Sequence, residues 1–151
     1  MIFLLQVCQK ASVTINNEVV SSINKGLVNF VGFAIGDDEK VVDKMVEKLL
    51  KARIFKDDND LTNLSIKDID GEILSVSQFT LYASLKDGNR PSFTNVLRKE
   101  DSIKLYDYFV KKIKSVYPKC KFGIFHADMK VELINDGPFT IILDSKEVIH
   151  G

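Results

Sequence analysis

The sequence predicts an α/β fold: a single compact domain of 151 residues, with mixed, largely antiparallel β-sheet layers packed on two main helices. Three observations carry that prediction. Residues 27–35 form a continuous apolar run, as a strand buried on both faces requires. β-like segments occupy both ends of the chain, and two stretches between them repeat apolar residues at helical steps. One domain spanning residues 1–151 accounts for the length, and at this size folding buries roughly 68–70% of the unfolded surface.

Taken in order, residues 2–7 and 12–20 read as strands, the second broken at Asn16-Asn17, a pair suited to a hairpin turn. Gly26 opens the buried run. Asp37 or Asp38 is placed to cap a helix that carries Val41, Val42, Met45, Val46, Leu49, Leu50 and Ile54 on one face. Asp57-Asp58-Asn59-Asp60 is a polar loop, after which residues 73–76 resume as a strand. Loop 86–91 contains Gly88 and Pro91, and Ser92 is positioned to cap a short helical turn. A second long helix starts near Glu100, turns Leu105, Phe109, Ile113 and Val116 inward, and stops before Pro118. Residues 122–125, 129–134 and 139–143 read as the remaining strands.

Composition narrows the function classes. Apolar residues make up 45% and charged residues 28%, as in ordinary globular proteins. Twenty-one Lys plus Arg balance 21 Asp plus Glu, so no global positive field draws in nucleic acid, and any RNA contact must be local. Lys86, Arg90, Arg98 and Lys99 form one basic cluster; Lys111, Lys112, Lys114, Lys119 and Lys121 form another, most simply a solvated surface. Cys8 and Cys120 are far apart, with neither CxxC spacing nor neighbouring histidines, so no metal site is expected from them. The acids at 57–60 lack the glycine and distal glutamate of a calcium loop. The apolar start, residues 1–5, gives way at once to Gln6 and Lys10 and reads as a first strand, not a signal peptide. No run reaches the ~18–20 apolar residues of a membrane span, so no membrane association and a cytoplasmic location are expected.

Two short segments carry the chemistry. Ser77-Gln78-Phe79-Thr80 places two hydroxyls and a carboxamide where an apolar strand hands over to a turn, a combination suited to a polar ligand group in a partly dry pocket. Thr80 as a nucleophile needs a neighbouring base, and neither His126 nor His150 is close in sequence. Asn135-Asp136-Gly137-Pro138 exposes backbone: Gly137 leaves its carbonyl unshielded, and the bond to Pro138 is of the kind that adopts cis. Taken alone, each segment has a plainer explanation, a strand end or a tight turn. His126 with Asp128 nearby is a further, weaker pairing for acid–base work.

Together the residues resemble the D-aminoacyl-tRNA deacylase (D-tyrosyl-tRNA deacylase) family. The likeness runs in order through Ala11-Ser12-Val13, residues 27–32, Arg53-Ile54-Phe55, Asn63-Leu64-Ser65, residues 77–82, Gly88-Asn89-Arg90-Pro91-Ser92-Phe93, Ala127-Asp128-Met129 and residues 135–140. The resemblance implies the mixed α/β fold of that family, working as a homodimer without cofactor or metal. It implies hydrolysis of the ester joining a D-amino acid, or mischarged glycine, to tRNA. Ser77, Gln78, Phe79 and Thr80 are then the catalytic pocket, with Met129 and Asn135 near the substrate. Gly137 and Pro138 enter the partner's pocket, where their carbonyls exclude L-aminoacyl groups.

Two positions depart from the family pattern. Val7 stands where an arginine commonly follows the glutamine corresponding to Gln6, and His126 stands where glycine commonly precedes Ala127-Asp128-Met129. The first removes an arginine brace from the Gly-Pro loop; the second narrows or polarises a pocket wall. Two other functions compete: a non-catalytic tRNA or nucleic-acid binding module, in which Lys86, Arg90 and Lys99 dominate, and a small-molecule hydrolase built on His126.

Overall fold

Strand β1 (Ile2–Ile15) is the axis on which the other strands assemble. This computed structural model describes residues 1–149; His150 lies outside them. Where the sequence suggested two strands at 2–7 and 12–20, the chain runs through as one, turns at Asn16-Asn17 and returns as β2 (Glu18–Ile23). Both asparagines adopt positive φ, 51° and 64°, as a tight hairpin turn demands. The polar Gln9-Lys10 that seemed to end the first strand is only an exposed bend, because β8 (Lys130–Asp144) pairs with β1 on both sides of it.

β3 (Gly26–Gly32) pairs antiparallel with β1 and parallel with β6 (Glu72–Ser77), which in turn pairs parallel with β7 (Cys120–Phe122). Parallel neighbours need crossovers. Helix α1 (Glu39–Lys51) lies in the first connection and α2 (Lys99–Val116) in the second. A short pair, β4 (Phe55–Lys56) and β5 (Thr62–Leu64), and a final turn, α3 (Ser145–Val148), complete the chain. The sheet is thus mixed, as expected. The 27–35 run leaves the sheet after Gly32, and the 122–125 segment after Phe122.

Of the two candidate caps, Asp38 serves α1, its carboxylate accepting from Val41 N at 2.9 Å. Asp37 instead holds the Met1 ammonium at 2.7 Å and accepts from Ala34 N, also at 2.7 Å. Ser92 is not a helix cap. It exchanges main-chain bonds with Ser84, at 2.9 and 2.8 Å, which close loop 84–92, and α2 begins only at Lys99.

The sheet divides the core. On the helix side, Phe3, Leu5, Leu27 and Val31 meet Met45 and Leu49 of α1 and Phe109 and Ile113 of α2. On the other side, Cys8, Val13, Val28, Leu74 and Val76 are covered by Met129, Val131 and Leu133. Each fully buried large apolar side chain contributes about 1.5–3 kcal/mol, so the layers hold without a disulfide.

Residues 129–134 and 139–143, expected as separate strands, belong to the single strand β8. Its register is broken: Gln6 pairs with Thr140 and Cys8 with Asn135, so residues 136–139 bulge out between neighbouring rungs. The Gly-Pro dipeptide sits on that bulge.

Candidate functional site

β3, β6 and β7 run in the same direction, and a cleft of about 400 Å³ opens beyond their carboxyl ends. That is where open α/β sheets place ligands, because the loops leaving parallel strands diverge there. Val31 and Phe33 come from the end of β3, Ser77 to Phe79 from the end of β6, and Phe125 to Met129 from the loop after β7. Val96, Leu97, Lys99 and Ser102, around the start of α2, close the remaining side.

The β6 exit is well fixed. Gln78 N donates to Val31 O at 2.7 Å, which prolongs the β3–β6 ladder by one bond. The chain then tightens into a 3-10 turn, Phe79–Tyr82, with Leu81 N bonded to Gln78 O and Ala83 N to Thr80 O. The amides of Phe79 and Thr80 stand at the start of this turn, where no preceding carbonyl of the turn can accept them. Gln78 Nε2 donates to Thr80 Oγ1 at 2.5 Å. The Thr80 hydroxyl therefore meets a carboxamide rather than a base.

Aromatic rings line the mouth. Phe79, 48% exposed, packs edge-on to Phe93 at 5.3 Å and lies nearly parallel to His126, with centroids 6.4 Å apart and planes 22° apart. His126 in turn meets Phe125 edge-on at 4.6 Å. It is exposed and sits at φ 64°, a left-handed conformation that costs most side-chain-bearing residues roughly 1–2 kcal/mol. The His126–Asp128 pairing does not form; the Asp128 carboxylate binds Lys130 Nζ at 3.1 Å. Met129 Sδ packs so closely over Gly123 that a β-carbon there would displace it.

The cleft thus gathers Ser77, Gln78, Phe79 and Met129, with Thr80 bonded alongside. Asn135, Gly137 and Pro138 do not line it. The Gly137-Pro138 bond is cis, Gly137 has φ 128°, and both residues are exposed. Asn135 is engaged in the bulge itself: Oδ1 accepts from Phe139 N at 3.1 Å, and Nδ2 donates to Thr140 Oγ1 at 3.0 Å. Gln6 Nε2 donates to the same hydroxyl at 3.1 Å. Val7 is buried in the core, so two carboxamides brace the loop where an arginine was the family expectation.

Sequence reasoning missed Phe125, Val96 and Leu97 as wall residues. They lie in loops or at loop–helix junctions, where no periodic pattern marks an inward direction.

Charge does not define this cleft. The thiols are remote from it and inert: burial pushes Cys8 up to about 11 and Cys120 up to about 12. A larger cleft of about 630 Å³ between the far parts of α1 and α2 is rich in charge, but it holds ion pairs such as Lys51–Glu47 at 2.5 Å and Lys112–Asp43 at 3.6 Å. Among the described residues no cluster of three or more His, Cys, Asp or Glu is placed to hold a metal. The 57–60 acids form a self-bonded turn, in which Asp57 accepts from Asn59 N, Leu61 N and Asn63 Nδ2. No helix among the described residues is long and apolar enough to cross a membrane.

Comparison with known proteins agrees with this architecture. The family model described as D-Tyr-tRNA(Tyr) deacylase matches residues 4–144. A D-aminoacyl-tRNA deacylase of Lactobacillus gasseri is 50% identical over 141 residues, 93% of this chain and 97% of the relative. One from Flavobacterium psychrophilum is 48% identical over 144 residues, 95% of this chain and 96% of the relative. Among solved structures, one described as c-Myc DNA Unwinding Element Binding Protein superposes with a TM-score of 0.91 at 35% identity, covering 95% of this chain and 98% of its own. A probable eukaryotic D-amino acid tRNA deacylase shares the fold, with a TM-score of 0.83 at 18% identity over 94% of this chain and 97% of its own. With a family model matched over residues 4–144 and relatives near half-identical over almost the whole length, the chain belongs to the D-Tyr-tRNA(Tyr) deacylase family.

Proposed function

We propose that this protein hydrolyses the ester of D-aminoacyl-tRNA, and of glycine mischarged on tRNA, in the cytoplasm, and rejects L-aminoacyl-tRNA. The observation that carries the reading is a largely apolar, ring-lined cleft in which the Ser77 hydroxyl and Gln78 carboxamide stand at the end of β6, with Lys99 and His126 on the walls, in a chain whose relatives are named for this activity. The lining residues of the cleft include neither a thiol nor a carboxylate. Water attacks the ester, the main-chain amides of Phe79 and Thr80 receive the developing oxyanion, and the ribose 2′-hydroxyl of the substrate assists. Ser77 and Gln78 hold the ribose and ester, and Met129 packs beside the aminoacyl group.

Selectivity comes from a second copy of the chain. Gly137 and Pro138 are exposed on the β8 bulge and do not reach their own cleft, a placement suited to insertion into a partner's. Rigid backbone then occupies the volume an L side chain needs, and no rotamer change relieves the clash. Glycine, without a side chain, passes. Asn135 holds the bulge in shape for this purpose.

The test is hydrolysis of matched D-, L- and glycyl-tRNA. Release of the D-amino acid and glycine with the L-ester spared is the expected result; equal rates, or no release, sink the proposal. A second reading draws on the structural similarity to a DNA-unwinding-element binding protein: a nucleic-acid binding module without catalysis, using Lys86, Arg90 and Lys99. It requires binding that weakens steeply with salt and no ester cleavage.

A further inference from the structure

Beneath the cleft floor lies a second polar layer. Val31 of β3 and Ser77 of β6 are partners across the parallel ladder, and both line the cleft. One step deeper on the same face Asn29 pairs with Ser75, and both are fully buried. Two residues of strand separate the layers by ~6.6 Å. Helix α2 starts at the cleft, where Ser102 lines the wall; Tyr106, one turn further on and buried, lies about 6 Å along the axis. Polar side chains from three elements thus reach the same depth.

Among the described residues, Asn29 Oδ1 and Nδ2, Ser75 Oγ and Tyr106 Oη have no hydrogen-bond partner. Their surroundings are apolar. Phe109 packs on Phe3 at 5.6 Å and on Phe122, the β7 partner of Ser75, at 6.4 Å, while Tyr106 stands against Phe109 and Phe125. Burial holds the Tyr106 phenol far above its ordinary range, so it stays a neutral donor. Donors and acceptors grouped in apolar walls are the setting of internal water, which makes about three hydrogen bonds to groups without other partners. Ser77 is the next polar residue above Ser75 on this face. One water with O–H···O bonds of ~2.8 Å on either side bridges ~5.6 Å, close to the spacing of alternate strand residues.

We infer that Asn29, Ser75 and Tyr106 form an internal water site beneath the cleft, and that its water bonds the Ser77 hydroxyl from below and orients it toward the ester. The three are positioning residues that act through Ser77. The water site stands on the buried groups themselves, and its effect on Ser77 rests on the proposed hydrolysis.

A crystal structure of the protein reads the water directly. Density for a water within about 3.2 Å of at least two of the three side chains is the expected result. A layer closed by direct bonds among them, or one without water, overturns the inference. Activity reads the link to Ser77. Asn29→Leu combined with Ser75→Ala exchanges the layer for apolar groups, a change close to neutral for folding because both partners go together. Its kcat for D-aminoacyl-tRNA should fall about three- to tenfold with KM held to within about twofold. Ser77→Ala should lose a similar factor, and adding the layer substitutions to it should lose no more, since they act through the hydroxyl already removed. Losses that multiply, or a kcat of the layer variant within about twofold of wild type, overturn the inference. Ser75→Ala alone should lower kcat in the same direction and replaces the double variant if that does not fold. A wild-type protein that spares the ester removes the proposed function, and the crystallographic water then decides the site by itself.

Discussion

Gln78 Nε2 donates to Thr80 Oγ1 at 2.5 Å across the first residues of the 3-10 turn. The bond ties together the two side chains on which the competing mechanisms depend. The bond uses Thr80 Oγ1 as an acceptor, and among the described residues no hydrogen bond carries its O–H to a side-chain base, the partner an activated threonine needs. Thr80→Ala is therefore expected to lower the single-turnover deacylation rate by less than about tenfold, through looser placement of Gln78. Loss of several orders of magnitude with substrate affinity intact would establish Thr80 as the nucleophile.

The bulge makes a separate prediction. Gly137 has φ 128°, and an added β-carbon would sit 3.2 Å from Phe139 N. Gly137→Ala is expected to cost about 1–2 kcal/mol and to shift the loop main chain. The readout is the ratio of D- to L-aminoacyl-tRNA hydrolysis, which should fall by at least about tenfold if this backbone excludes L side chains. An unchanged ratio contradicts the filter.

Asn135→Ala removes the acceptor for Phe139 N and a donor to Thr140. Net loss of two such bonds costs about 1–3 kcal/mol, seen as a lower denaturant midpoint with an unchanged m-value. Because the same bonds shape the bulge, selectivity should weaken in parallel. Thr140→Val, which removes the shared acceptor for Asn135 and Gln6, should do the same.

Tyr117 closes the helix layer at the far end of α2. Its buried hydroxyl donates to Gly71 O at 2.5 Å and approaches Ile66 O at 3.3 Å, and these carbonyls lie just ahead of β6. Tyr117→Phe should destabilise by about 1–3 kcal/mol, because buried acceptors lose their donor. Activity at saturating substrate should be retained, since the cleft lies at the opposite end of β6.

Alkaline pH tests the buried thiols. Burial raises Cys8 to about 11 and Cys120 to about 12, from 9.0 for a free thiol. The stability they support is complete below pH 9 and declines as the pH rises toward 11–12, because the unfolded chain ionises first. Cys8→Ala should flatten the fall in denaturant midpoint between pH 8 and about 10.5. An unchanged slope contradicts the assignment.

Much of the fold was legible because periodicity is a local signal. Val42, Met45, Val46 and Leu49 repeat at helical steps and are all buried, so α1 was recognisable from its own residues. In α2 the expected Leu105, Phe109 and Ile113 are buried, but Val116, expected to face inward, is exposed on the last residue of the helix. Strand continuity was not local. Gln9-Lys10 reads as a break in β1, and residues 135–138 as a turn between strands. Each is held within a long strand by pairing across about 130 residues of sequence, which no window of residues reveals.

The sequence by itself determined the class of fold, the two helices, the family resemblance, and the chemistry on offer at residues 77–80 and 135–138. Those are properties of residue type and order. Only the tertiary structure decided which groups meet. Three parallel strands end side by side and bring Ser77, Phe79, Phe125 and Met129 to one cleft. The β8 register pushes Gly137-Pro138 outward and away from it. His126 is separated from Asp128 and set against Phe79. Meeting depends on strand direction and register, which are fixed by long-range hydrogen bonding and burial rather than by any segment alone.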